Sequence, residues 1–342
     1  MDIPLQLQTA YQELLQHHAA EPDVSIEGSI VRREKGGRGY WVARKRVGAK
    51  VTESAIGPDT EETQAVVSAA KAEQERHKAW SRAASSCVSI LRAGGCLAPD
   101  MKTGQLLAAI ARTGFFASGG VLGGTQAFRH YPLMLSVAPP STAFSMTGDV
   151  DLMASGTVRL SGASASLAAR IREQGIDMEP VLGMQAKEPS KWRVSGVLDL
   201  EFLSTVGRGG EGTHLHAGIG ERVQALKYLE YSLTDPVEAV SLYRSGVSIR
   251  VPAPERYALH KMLVAQLRSG SFREKRRRDL DQAAWLLEVL VEHRAYDLWQ
   301  AWADLRARGV KWRALADASL KERLDLQEYL GRIEEAFGSA DT

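Results

Sequence analysis

Asp149 and Asp151 flank a single valine in the segment TGDVDLM. The alternation between Met146 and Leu152 predicts a strand, and on a strand of period two both carboxylates share one face. Two oxygen donors so placed can serve a hard divalent cation such as Mg²⁺, with coordination positions left for water and phosphate. Earlier in the chain, the apolar run Gly120-Val121-Leu122 meets Gly123-Gly124-Thr125, and a helix is expected over Gln126–Leu135. Glycines bare their peptide N–H groups and a helix start leaves such groups unpaired, so this turn suits an anion.

Several elements downstream must position these two groups. The segment VLDLEFLS alternates so that Asp199 and Glu201 share a strand face; a solvated edge strand would do the same. VPAPERYALHKMLVAQLR reads as a helix, with Pro254 in its first turn, Glu255 at its positive end, and a stripe of Tyr257, Leu259, Met262, Leu263 and Leu267. Lys261 lies off much of that stripe. Arg268, Arg273, Lys275, Arg276, Arg277 and Arg278 then run up to Asp279, which can cap the helix LDQAAWLLEVL. Further helices are expected at Ser164–Glu173 and Arg222–Leu233, and extended segments at Ile176–Met184, Trp192–Ser204 and Ser248–Val251. His214 and His216 stand two apart, with no further His or Cys nearby to make a metal site.

Gly-Gly-Thr followed by Asp-Val-Asp resembles the polymerase-β-like nucleotidyltransferase superfamily. VLGGTQAF with TGDVDLM, and VPAPERYALHKMLVAQ with RRRDLDQAAWLLEVL, are similar to a bacterial nucleotidyltransferase family related to the AbiE-type toxin enzymes, over roughly Thr113 to Leu290. The resemblance implies an α+β fold. Its catalytic domain, a mixed sheet flanked by helices, would occupy residues 113–205, and a mostly helical domain at 206–342 would complete the site. The implied reaction moves an NMP from an NTP to a hydroxyl acceptor with two Mg²⁺ ions. Asp149, Asp151 and a third carboxylate, Glu201 or alternatively Asp199, would hold the metal. Gly123, Gly124, Thr125 and Thr147 would bind the nucleotide, and Lys261 would offset charge on the leaving pyrophosphate. Asp279 would stand near that lysine, and Arg277 or Arg278 would approach the substrate. The segment Ala138–Met146 is expected to close over it. AbiE-type relatives imply RNA, transfer RNA among them, as acceptor, together with a toxin role and a cognate antitoxin. Other superfamily members act on small hydroxyl compounds or on proteins.

The first 112 residues read as an accessory α/β module. Leu7, Tyr11, Leu14 and Leu15 fall on one face of a first helix, and three β-prone runs parted by KGGRG and VGA predict a meander. Thr60 and Thr63 can cap a long helix after it, and GQLLAAIART predicts another. Arg32, Arg33, Arg44, Lys45 and Arg46, with Tyr40 and Trp41 among them, form either a solvated basic face or a surface that tracks a nucleic-acid backbone and stacks on a base. The second reading carries a different class of function, a nucleic-acid-binding protein with a vestigial transferase core.

Length and composition bound these readings. At 342 residues the chain can hold two or three domains, and its 44% apolar and 25% charged residues are those of a globular protein. The formal charge of +2 is too small to argue for nucleic acid by itself. Cys87 and Cys96 match neither a zinc nor a redox spacing and read as ordinary thiols. No apolar run reaches the ~18 residues of a membrane span, and the first residues lack a secretory pattern, so a cytoplasmic location is expected.

Overall fold

The computed structural model describes residues 2–47, 50–140, 148–162, 165–181, 189–207, 210–268 and 272–338. Helix α1 (Leu5–Ala19) buries Leu7, Tyr11 and Leu14 on the face its spacing predicts. Strands β1 (Ser29–Lys35), β2 (Arg38–Val47) and β3 (Lys50–Pro58) form the expected meander, paired antiparallel in sequence order. The Thr60 side chain accepts from the Thr63 N–H at 3.3 Å and caps α2 (Glu61–Ala93), whose positive end also carries Glu61 and Glu62. Helix α3 (Met101–Arg112) is capped by Asp100 and packs Leu106, Leu107 and Ile110 into the main core.

Past α3, strand β4 (Val121–Leu122) runs into the glycine turn. The single helix expected over Gln126–Leu135 is instead two short ones, α4 (Gly124–Phe128) and α5 (Tyr131–Met134). Pro132 explains the break, because its ring removes a helix donor and is tolerated in the first turn of a new helix. Strand β5 (Asp149–Ala154) carries the acid pair. Helix α6 (Leu167–Glu173) starts later than the expected Ser164, because the Ser166 side chain accepts from the Ala169 N–H and sets the cap there. Strands β6 (Met178–Val181), β7 (Lys191–Val194) and β8 (Leu198–Thr205) follow, then β9 (Gly212–His216) and β10 (Glu221–Leu226).

Strand β10 replaces much of the helix expected over Arg222–Leu233. Glu221, Val223 and Ala225 are buried in alternation, a period-two pattern, and the Glu221 carboxylate accepts from the Ala168 N–H at 2.7 Å, which ties the strand to the start of α6. What remains helical is the single turn α7 (Leu229–Ser232). A hairpin of β11 (Val237–Ser241) and β12 (Val247–Val251) precedes five helices: α8 (Pro254–Leu267), α9 (Arg273–His293), α10 (Ala295–Ala307), α11 (Val310–Glu322) and α12 (Leu324–Phe337).

The central sheet runs β4-β5-β8-β10-β9 among the described residues, with β7 and then β6 added beside β8. It is mixed: β5, β8 and β10 are parallel, whereas β4, β7 and β9 pair antiparallel with their neighbours. One core joins this sheet to α3 and to the C-terminal helices through Phe128, Tyr131, Leu152, Phe202, Leu263 and Leu286. A second core pins α1 and α2 against Leu133, Val240 and Leu242. No helix among the described residues is long and apolar enough to cross a membrane.

Candidate active site

Asp149 and Asp151 lie on one face of β5, separated by the fully buried Val150. The parallel register to β8 sets Asp149 beside Asp199 and Asp151 beside Glu201. On the far edge of β8, antiparallel β7 continues both rows, with Arg193 beside Asp199 and Lys191 beside Glu201. Paired residues point to the same side of a sheet, so two rows cross its face: Asp149–Asp199–Arg193 and Asp151–Glu201–Lys191. The Lys191 ammonium lies 2.8 Å from Glu201 Oε1 and 2.8 Å from Asp199 Oδ2, and Arg193 Nε lies 2.5 Å from Asp199 Oδ1.

The glycine turn packs directly on the acids. Gly123 N–H donates to the Asp151 carbonyl at 2.8 Å. Gly124 has φ +57°, and a Cβ on it would sit 2.0 Å from Asp151 Oδ2, so a side chain is excluded both by backbone conformation and by the carboxylate. Helices α8 and α9 hold this turn from behind. Tyr257 Oη lies 3.0 Å from the Gly124 carbonyl oxygen and 2.9 Å from Gln282 Oε1, its one proton serving either acceptor. Gln282 Nε2 in turn donates to Thr125 Oγ1 at 3.3 Å.

Although it lies off much of the apolar stripe, Lys261 is buried, and its ammonium donates to Asp279 Oδ1 at 2.6 Å. Arg268 Nε takes the other oxygen of Asp279 at 2.5 Å. Asp279 does not cap its helix as the sequence allowed. Helix α9 begins at Arg273, so the basic run forms its first turns and Asp279 is interior and buried. Burial pushes the Asp279 carboxyl up, and Lys261 and Arg268 more than reverse this and hold it below the usual range. At helical spacing, Lys275, Arg278, Asp279 and Gln282 face one side of α9. Of the basic run it is Lys275 whose ammonium comes within 3.4 Å of Asp149 Oδ2, while Arg277 is 85% exposed and pairs with Asp281.

A family model described as Nucleotidyltransferase matches residues 101–307, more than half of the chain. The chain belongs to this nucleotidyltransferase family. The match takes in both acid rows, the glycine turn and the Lys261–Asp279 pair, and it includes α3, whose apolar face lies in the main core. An antigenic nucleotidyltransferase-like protein from Paracoccidioides brasiliensis is similar at 15% identity, over 69% of this chain and 94% of that one, with a TM-score of 0.34. A superposition that loose carries no argument. No curated protein matches this nucleotidyltransferase.

The electrostatics of the two acid strands differ. The Asp151 carboxyl is pushed up to about 6, first by burial and then by the charges of Glu201 and Asp149, with Lys261 pulling the other way. Asp199 is also pushed up by burial, yet Lys191 and Arg193 hold it below its ordinary value. Four carboxylates on one face are the hard oxygen donors that Mg²⁺ takes. Among the described residues no three such groups are gathered closely enough to enclose an ion.

The remaining sequence candidates lie elsewhere. In the meander, Arg32 pairs with Asp59 at 2.6 Å, Arg33 and Arg44 with Glu53 at 2.6 and 3.8 Å, and Lys45 with Glu27. Trp41 donates to Asp59 at 2.9 Å and lies under Lys71 of α2, Tyr40 is half-buried, and Arg46 is exposed. His216 is buried and donates to the Ser155 carbonyl at 2.9 Å, whereas His214 is exposed. Cys87 is buried and Cys96 half-buried, both as free thiols. Thr147 and most of the expected closing segment fall outside the described residues. Sequence reasoning missed Tyr257 as more than a core residue, and it missed Gln282, Lys191 and Lys275. The one available signal was a lone glutamine on the apolar face of α9.

Proposed function

We propose that this nucleotidyltransferase moves an NMP from an NTP to a hydroxyl of RNA in a Mg²⁺-dependent reaction at the β5 acid pair. The observation that supports this reading is the packing of the Gly124 turn, at the start of α4, against the Asp151 carboxylate. Asp149 and Asp151 would hold the ion, with Glu201 as the neighbouring third carboxylate in preference to Asp199, which is clamped by two cations. Bound Mg²⁺ would neutralise charge on the phosphates and favour attack at the α-phosphorus.

The chain's own residues do the positioning. Gly124 and Thr125 offer their N–H groups to the phosphates, while Gly123, whose own N–H is taken by the Asp151 carbonyl, anchors the turn to β5 and Tyr257 and Gln282 fix it from the other side. Lys261, oriented by Asp279, supplies positive charge on the side of the leaving pyrophosphate. Lys275 beside Asp149, Arg278 on the same side of α9 and the exposed Arg277 would favour an anionic substrate. The exposed basic start of α9 supports RNA as the acceptor, and Arg46 on the meander adds a second place for phosphate contact. A toxin-type role with a cognate antitoxin follows from the AbiE-type resemblance alone.

Incubation with each α-³²P-NTP, Mg²⁺ and total cellular RNA, resolved on a denaturing gel, tests this reading. A labelled RNA band whose yield falls steeply with added salt is the expected result. Label appearing on a small molecule or on protein, with none on RNA, would overturn the choice of acceptor.

A further inference from the structure

The acid face carries its own cations, and they are unevenly distributed. Both acids of β8 already have cations at hydrogen-bond distance: Lys191 at 2.8 Å from each and Arg193 at 2.5 Å from Asp199. Strand β5 differs. Asp149 is held by the exposed Lys275 through a longer hydrogen bond of 3.4 Å, and among the described residues no ion pair is made to the Asp151 carboxylate. Lys191 is placed by the sheet itself, as the direct antiparallel partner of Glu201, so its position is set by strand register as well as by its side-chain torsions.

We propose that Lys191 is a built-in substitute for a second metal ion: its ammonium occupies the Glu201 end of the acid row, leaving Asp149 and Asp151 to hold a single divalent cation. This inference rests on the assignment of the β5 pair as the metal site. A second dication beside Glu201 would have to displace Lys191 from an oxygen 2.8 Å away or sit next to its like charge. Asp199 gives the lysine no reason to leave, because its other oxygen is held by Arg193 and the two bridges lock each other. On this view Lys191 is a positioning residue that holds the third carboxylate and sets how many ions the site takes.

The test counts ions instead of turnover. Mn²⁺ bound per chain is measured by electron paramagnetic resonance in the presence of the α,β-methylene analogue of each of the four NTPs. Wild type, Lys191→Gln, Lys191→Met and Asp151→Asn are compared, with thermal unfolding as a check that each folds. The expected result is one Asp151-dependent ion in wild type and two in Lys191→Gln or Lys191→Met. Two ions in wild type, or one ion in every folded Lys191 variant, would overturn the role of Lys191 while leaving the β5 site standing. Binding that Asp151→Asn does not weaken, or no binding at all, would overturn the site assignment and this inference with it.

Discussion

Asp151 is where the acid row and the glycine turn meet. It is half-buried, touches the Gly124 turn, neighbours Glu201 in register, and among the described residues makes no ion pair of the kind each β8 acid has. Its carboxyl is raised to about 6 mainly by burial, so in the metal-free protein it resists ionising. The sign follows from proton linkage. A folded value above the unfolded one stabilises the protein at low pH, and that stabilisation is lost as pH rises through the folded value. Metal-free wild type is therefore expected to lose about 1 kcal/mol between roughly pH 4 and pH 7, after discounting for the solvent-facing part of the side chain, and Asp151→Asn should not show this loss. Divalent-ion affinity should rise over the same interval. Denaturant melts of both proteins at pH 4 and pH 7 check it, and parallel pH dependences would contradict the assignment. The alternation around Val150 was enough to place Asp149 and Asp151 on one face. The counter-cations were not legible, because Lys191 and Lys275 reach the acids through strand register and helix docking, which no local spacing encodes.

At the scale of elements, α8 and α9 are the scaffold of the glycine turn. The Tyr257–Gln282–Thr125 chain joins both helices to α4, and the buried Lys261–Asp279 pair, extended by the half-buried Arg268, joins them to each other. A buried ion pair broken on one side leaves an uncompensated charge. Asp279→Ala should accordingly destabilise the protein by ~3–5 kcal/mol, whereas the apolar double variant Lys261→Met/Asp279→Leu should recover much of that loss while remaining inactive. Urea unfolding measures the first part and NTP turnover the second; an Asp279→Ala protein as stable as wild type would show that the pair is not integral to the scaffold. The pattern of α8 was readable from Pro254 and its apolar stripe. The start of α9 was not, because a run of arginines carries no apolar periodicity to reveal that it is already helical. Strand β10 was missed for a related reason: Glu221 reads as polar until its carboxylate is seen capping α6.

Across the whole molecule, the mixed sheet and helical surroundings expected from the sequence are present, and the sheet extends further than its proposed domain limit of 205. Strands β9 and β10 widen it beyond that limit, and α1 packs its apolar face against the β11–β12 hairpin, with the Tyr11 hydroxyl accepting from the Val240 N–H at 3.4 Å. Such long-range packing brings residues 123, 151, 201, 261 and 279 together, and it is what a reading of local periodicity lacks. The central claim is that these residues form one nucleotidyl-transfer site built on the β5 acids. Its most direct test is transfer of label from α-³²P-NTP by wild type, Asp149→Asn and Asp151→Asn, each confirmed folded by circular dichroism. Loss of transfer by at least ~10³-fold in both variants is expected. Near-wild-type transfer by either would contradict the site.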